Sequence, residues 1–492
     1  ENYWNSATTG LSTVSLRRMA AQNAMAVASA SATLQSLDYL DAYARTWGQP
    51  QARMALYSLD ASNGLDNLQS NANPNSYPEI SDDGQVLVYV NDGYDRDKNP
   101  TPSIYDSRAH FSTLSGSSYS DSAAIADPGA DTDDAFAGYG DSDVDIAGSS
   151  SFAAAAWVRM SSDLPGKDGG DPVTVEEQNL LMNGTEIVAS VYKGNGWISQ
   201  RLTTNGTPDL APAVASNGKD QAVVFWRSVY SSDPDNVLGF TSRDSILYSV
   251  YKNGSWSDPA TLYNGSNGNV KALEAAMLAD GTAIAVYTLD KSGAGETDPA
   301  KNYEVGYTIV KASDGAIGTT MLATSDSYLD ENPQVVSASF GTGSDRFVIA
   351  WHSLRDGVSD IQMRAVDENG VMSNSFPASL SEITSDGSAT VSASFRLAAL
   401  NNSYRDVTNL TVIWDETVED HSVLKAARLR SDGGTGYVLS APMELATLGA
   451  HTMADHFEAY VSGENQVKAV IQATQYGGNL TEIDTDIPQT TL

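Results

Sequence analysis

The sequence predicts an all-β fold, and three observations predict it. A unit of about 60 residues recurs along the chain, its strands alternate apolar and polar residues with period two, and Asn-Gly or Asp-Gly pairs recur at matching places. Period two belongs to an extended chain whose side chains point to opposite faces. Asn-Gly and Asp-Gly mark tight hairpins, because type I′ turns need positive φ at both central residues.

The clearest unit is residues 210–266. APAVAS, the turn NGKD and QAVVFWRS are followed by a long loop, SILYSVYK, the turn NGS and WSDPATLY. Residues 268–328 repeat it with ALEAAML, TAIAVYTL and YEVGYTIV, residues 331–385 with PQVVSAS, RFVIAWHS and DIQMRAVD, and residues 390–449 with VSASFRLAAL, NLTVIWDE and SVLKAARL. Upstream, residues 77–131 (YPEIS, QVLVYVND) and a looser copy over 134–208 (DVDIAG, SSSFAAAAWVRM, EIVASVYK) follow the same order. Residues 454–492 supply three strands of a further unit. The N-terminal ENYWNSATTG, residues 1–10, looks like its missing fourth, so the N-terminus is expected to fasten the last unit and close a ring. Residues 24–72 read as one more unit, giving eight; a helical reading of their Ala-rich part gives seven.

Four-stranded antiparallel sheets set radially, with the last completed by the first strand, make a single β-propeller over residues 1–492. A linear stack would leave open sheet edges at both ends. An aromatic residue ends the second strand of successive units (Tyr89, Trp157, Trp226, Tyr287, Trp351, Trp414). Large flat side chains at one repeated position are read as core between neighbouring sheets, at roughly 25 cal/mol per Å² buried.

Composition narrows the function. Lys plus Arg number 28 and Asp plus Glu 62, a net charge of −34, which argues against binding to nucleic acid or anionic lipid. There are no cysteines, so disulfides, thiolate metal sites and cysteine nucleophiles are excluded. No apolar run is long enough to insert in a membrane as a helix. A Cys-free chain rich in Ser, Thr, Asn and Gly is expected at the cell surface or outside a bacterial cell, as one piece of a longer protein with other domains.

Across these units the chain resembles the sialidase-like propellers, and the propeller segments of large surface proteins of Gram-positive bacteria. The resemblance is one of architecture. The Asp-box, Ser-x-Asp-x-Gly-x-Thr-Trp, is absent; the nearest strings, SDDGQVLVY from Ser81 and SDGSATVSA from Ser385, lack its tryptophan and spacing. Sialidase chemistry is therefore not carried over.

Candidate sites come from the loops between second and third strands, which in a propeller share a face with the loops between units. In four consecutive units these loops are long: NDGYDRDKNPTP, RMSSDLPGKDGGDPVTVEEQ, RSVYSSDPDNVLGFTSRD and TLDKSGAGETDPAKN. Later units have only HSLRDGVS and DETVEDH. Long loops carry function more often than short ones. Arg96, Arg159, Arg227, Arg243 and Arg355 fall in or beside them, with Tyr94, Tyr230 and His352, and these eight are the expected ligand-binding residues. Asp95, Asp97 and Asn99 have the alternate spacing of a calcium loop, with Asp106 at the twelfth position, and Asp141, Asp143 and Asp145 repeat the alternation. Oxygen-only ligands suit Ca²⁺, though the first loop lacks the glycine of an EF-hand turn. No zinc, P-loop, dinucleotide or Gly-x-Ser-x-Gly motif occurs, and no catalytic carboxylate pair stands out.

These features predict a non-catalytic adhesion module that contacts a host glycan or protein through one face. A glycoside hydrolase or polysaccharide lyase on the same scaffold, and a structural spacer in a long surface protein, are the alternatives.

Overall fold

The computed structural model describes residues 53–60, 64–70, 78–91, 108–115, 118–120, 123–125, 140–161, 174–230, 243–266, 268–291, 303–326, 328–339, 345–355, 358–373, 390–399, 410–418, 421–431, 437–448, 452–461 and 467–475. They form a β-propeller of antiparallel sheets, numbered I to VII by their innermost strands: Glu79–Ile80, Asp141–Ser149, Asp209–Ser216, Asn269–Met277, Leu329–Ser339, Thr390–Ala398 and Thr452–Val461. Each innermost strand packs beside the next around a central axis, and Thr452–Val461 lies beside Glu79–Ile80. From the axis outward, chain order and spatial order agree in sheets I to VI, as hairpin connections require.

Six of these sheets have four strand positions, and in sheets I, III, IV and VI the outermost is split into two short strands. Sheet V has three strands among the described residues, with one bridge from Val366 to Met372 beyond them. The expected eight units, or seven, therefore give way to six complete blades and one of three strands.

Sheet VII corrects the reading of the chain ends. Its inner strands are Thr452–Val461 and Val467–Gln475, and its outer strands are Arg53–Asp60 and Gly64–Ser70, ordered so that Arg53–Asp60 pairs with Val467–Gln475 from Arg53↔Gln475 to Asp60↔Lys468. Residues 53–60 and 64–70 are thus the paired outer strands of the last sheet and not part of a separate unit over 24–72. Local pattern shows that a segment is a strand but not which distant strand it joins. Residues 1–10 lie outside the described residues.

The aromatic column does what its position implies. Trp157 packs with Val86, Val88 and Val90 of sheet I, Trp226 with Ala154, Ala156 and Val158 of sheet II, and Tyr287 with Phe225 of sheet III. Trp351 packs with Ile284 and Val286 of sheet IV, and Trp414 with Val348 and Ala350 of sheet V. Each plugs the gap toward the preceding sheet. Polar clasps add direction: Tyr248 donates to the Gly315 carbonyl of the next sheet at 3.1 Å, and Tyr307 to the Gly370 carbonyl at 2.8 Å.

A bulge interrupts the register of every innermost strand from sheet II to sheet VII. In sheets II, III and V a non-glycine residue at the bulge has positive φ: Asp143 (47°), Ala211 (48°) and Asn332 (49°). Bulges re-aim the side chains that follow them, and here those side chains meet the axis.

Among the described residues one helix, α1 (Val175–Asn183), lies between the second and third strands of sheet II. Thr174 and Glu177 form a reciprocal capping box, which satisfies N–H groups that the first turn leaves open. Met182 packs on Leu210 and Val229 of sheet III.

Candidate functional site

The axial channel encloses about 580 Å³ and is lined by residues of all seven innermost strands. Its chemistry comes from one register position. Glu79, Asp145, Glu274, Gln334 and Arg396 pair with Val88, Ala156, Val286, Ala350 and Ile413, each the residue just before the aromatic of its second strand. Glu458, paired with Val470, supplies the sixth polar group. In sheet III the matching residue is Ala213, paired with Phe225. Six polar side chains thus form one layer across a channel whose remaining wall mixes apolar residues such as Ile80, Val144, Leu273 and Val335 with polar ones such as Asp82, Asp143 and Asn332.

The layer is bonded across sheet boundaries. Asp145 of sheet II accepts from the Val214 N–H of sheet III at 2.5 Å and from its neighbour Ile146 at 2.7 Å. Gln334 of sheet V donates to Glu274 of sheet IV at 2.8 Å. Arg396 of sheet VI forms an ion pair with Glu458 of sheet VII, and the two side chains keep 18% and 17% exposure in the channel.

Three carboxyls, Glu79, Glu274 and Glu458, lie in the field of the Arg396 guanidinium, and burial makes ionisation of the layer's carboxyls costly. Burial pushes Asp145 up to about 7, with the charges of Glu458 and Asp82 adding and its two backbone N–H bonds opposing. Burial pushes Glu274 up to about 8, with Arg396 and Gln334 opposing and Asp145 and Glu458 adding. Glu79 is held well above the usual carboxylate range by burial, then by Glu458 and Asp145, and Glu458 is raised by burial against the pull of Arg396. Burial disfavours the Arg396 charge, but Glu458, Glu79 and Glu274 outweigh it and hold the guanidinium protonated. Near neutral pH the layer therefore offers a protonated Glu274 that can donate and accept, a carboxamide, and the Arg396 guanidinium held against Glu458.

The residues expected from the loops fall elsewhere. Arg159 and Asp141, assigned to different sites, form a buried bidentate ion pair at 2.7 and 2.9 Å, and Asp141 also accepts from the Ala109 N–H of sheet I at 3.0 Å. Arg227 is buried between Asp244 at 3.3 Å and the Lys271 carbonyl at 3.0 Å. His352 is 7% exposed, with Nδ1 at 3.5 Å from Glu331. Tyr230 is 63% exposed at the end of its strand, opposite the exposed Arg243, so these two do face solvent. Arg355 ends the second strand of sheet V opposite Val358. Asp143 sits at a bulge and lines the channel with Asp145, whereas Asp141 does not. Tyr94, Asp95, Arg96, Asp97, Asn99 and Asp106 lie outside the described residues. Among the described residues no group of three His, Cys, Asp or Glu converges as a metal site would.

Glu79, Glu274, Gln334, Arg396 and Glu458 were not anticipated, although the sequence carries their signal. Aligning the first strands (YPEIS, DVDIAG, ALEAAML, PQVVSAS, SFRLAAL, HFEAYVS) puts a polar residue at one recurrent place in an apolar context.

No protein-family model and no curated protein matches the sequence. Among solved structures, the sialidase of Trypanosoma rangeli aligns at 8% identity and a TM-score of 0.37, over 73% of this chain and 56% of that one. This chain thus spans little more than half of that enzyme's length. The Hadza microbial sialidase Hz136 aligns at 10% identity and a TM-score of 0.37, over 87% and 91% of the two chains. A protein of unknown function from Dyadobacter fermentans aligns at 9% identity and a TM-score of 0.36, over 81% and 94%.

Proposed function

We propose that the protein is a binding module of a bacterial surface or secreted protein, and that its axial channel seats a hydroxyl-rich ligand such as a glycan end. One observation carries this reading: six polar side chains at a single register position, facing one another across a cavity of about 580 Å³. That volume lies within the range of small-molecule sites. Sugars need donors and acceptors side by side and apolar wall for their C–H faces. Protonated Asp145 and Glu274, Gln334, Asn332 and the apolar lining supply all three. Tyr230 and Arg243 are accessible at the end of a second strand and can extend contact to a larger host glycan or protein.

A second reading, glycoside hydrolysis, is favoured by one feature. Glu274, pushed up to about 8, is protonated at pH 7 and shares the channel with Glu79, Asp145 and Glu458, and acid/base hydrolysis of glycosides uses a protonated carboxyl beside a second carboxyl group.

A glycan array followed by product analysis on each hit separates the two. Bound, unchanged glycan supports the module, and cleaved glycan supports the enzyme. Glu274→Ala should weaken capture about tenfold or more, because it removes a hydrogen-bonding group from the channel wall. Capture unchanged in that variant would remove the channel as the seat.

A further inference from the structure

We propose that the ligand of the axial channel carries a protonated amine, and that this ammonium seats beside sheet III, between Asp145 and Glu274. The inference rests on the channel as the ligand seat proposed above and adds the charge of what it takes.

The polar layer has a place on each of the seven sheets and a polar group at six. From sheet I to sheet VII it reads Glu79, Asp145, Ala213, Glu274, Gln334, Arg396 and Glu458. The place on sheet III stands between two carboxyls, and that strand brings Pro212 and Val214 to the lining at this level. Arg396, the one cation in the described lining, stands three sheets away. It is already engaged: Glu458 holds Nε, and Nη1 donates to the Phe395 carbonyl at 3.1 Å.

Hydrogen-bond donors are scarce in this layer and acceptors are not. Gln334 Nε2 is directed at Glu274 Oε1 at 2.8 Å and at the Pro333 carbonyl at 3.4 Å. Asp145 accepts from Ile146 and Val214, and Glu274 accepts from Gln334. An ionised carboxyl has about four acceptor positions, so capacity is left on both sides of the sheet III place. A fitting ligand therefore brings hydrogens, and an ammonium brings three together with a positive charge. An anionic group would instead meet six carboxyls and one guanidinium. A bare metal ion fits less well, since among the described residues no three acidic side chains converge on one point. The same partner relieves the cost of burial at Asp145 and Glu274, because an opposite charge close by favours the ionised form. An amino sugar combines this ammonium with hydroxyls and an apolar ring face.

Titration calorimetry with two β-1,4-linked dimers tests the seat, one of glucosamine and one of N-acetylglucosamine. Acetylation removes the charge of the amine. At about pH 7 the glucosamine dimer should bind about tenfold more tightly or better, the size of a hydrogen bond to a charged group. In Glu274→Gln and in Asp145→Asn the preference should fall to about twofold or less. In Glu79→Gln, two sheets from the sheet III place, it should fall by less than in either. Equal affinity for the dimers, no binding of the glucosamine dimer, or a preference that survives in both Glu274→Gln and Asp145→Asn would overturn the proposal. Neutral glycans captured with no preference for the amine would overturn it and leave the channel as the seat, whereas capture that is also indifferent to Glu274→Ala would remove both. Should one of the two variants fail to fold, the other decides.

Discussion

Asp141 and Arg159 show how a charge that looks available in sequence becomes committed in the fold. The bulge after Ser142 sets Asp141 opposite Arg159, and the pair closes with two hydrogen bonds away from solvent. Asp141→Ala should cost about 3–5 kcal/mol, because it leaves a buried guanidinium without its carboxylate; urea unfolding would show this as a lower midpoint. An unchanged midpoint would mean that Arg159 finds another partner. Arg159, Arg227 and His352 lie in or beside the loops expected to bind ligand, and in the fold each faces a carboxylate: Asp141, Asp244 and Glu331. What the sequence reading lacked was the cross-strand partner, since Asp244 and Glu331 are brought in only by pairing. The channel residues were the more legible ones, because a polar residue recurring at one place in the first strand needs only the repeat to be noticed.

Two elements carry sharper tests than their size implies. Helix α1 depends on its first turn, so Thr174→Ala should cost about 1 kcal/mol of helix stability. Exchange of amides 177–183 should quicken, and an unaltered rate would show that packing of Met182 alone holds the helix. Its capping box, TVEE, was written in the sequence, but a long polar loop with Pro and Gly gave no periodicity to follow it. The hairpin after Glu79–Ile80 is the second case. Gly84 has φ +69°, and a Cβ there would fall 2.0 Å from the Tyr460 ring of sheet VII. Gly84→Ala should therefore destabilise the protein by about 1–3 kcal/mol through overpacking and backbone strain. A melting temperature equal to that of the native protein would mean that the first and last sheets do not depend on this contact.

At the scale of the whole molecule, the buried acids set a pH dependence. Asp209, Asp244 and Asp415 are pushed up to about 6 by burial, Asp145 to about 7 and Glu274 to about 8. Each has a folded value above its unfolded one, so between those values the folded chain binds more protons than the unfolded chain. Stability must then fall as pH rises. The melting temperature should be highest near pH 4–5, decline through pH 8 and level off above, with the net charge of −34 acting in the same direction. A melting temperature that rises from pH 5 to pH 8 would contradict the burial of these groups. The repeating sheets, their order and their aromatic seams were legible because each arises within one unit. The composition of sheet VII was not, because it depends on which of several similar strands meet.

That sheet has a consequence for how the chain is made. Arg53 pairs with Gln475, so the contact spans 475 − 53 = 422 residues. Loop closure over such a distance adds little to the equilibrium cost, which grows only with the logarithm of length, but pairings this remote slow folding. During synthesis the strands Arg53–Asp60 and Gly64–Ser70 leave the ribosome first and wait, with a bare backbone edge, for a partner made about 400 residues later. A nascent protein halted before residue 467 should therefore be a substrate for chaperones and a seed for aggregation, whatever state its finished middle sheets have reached.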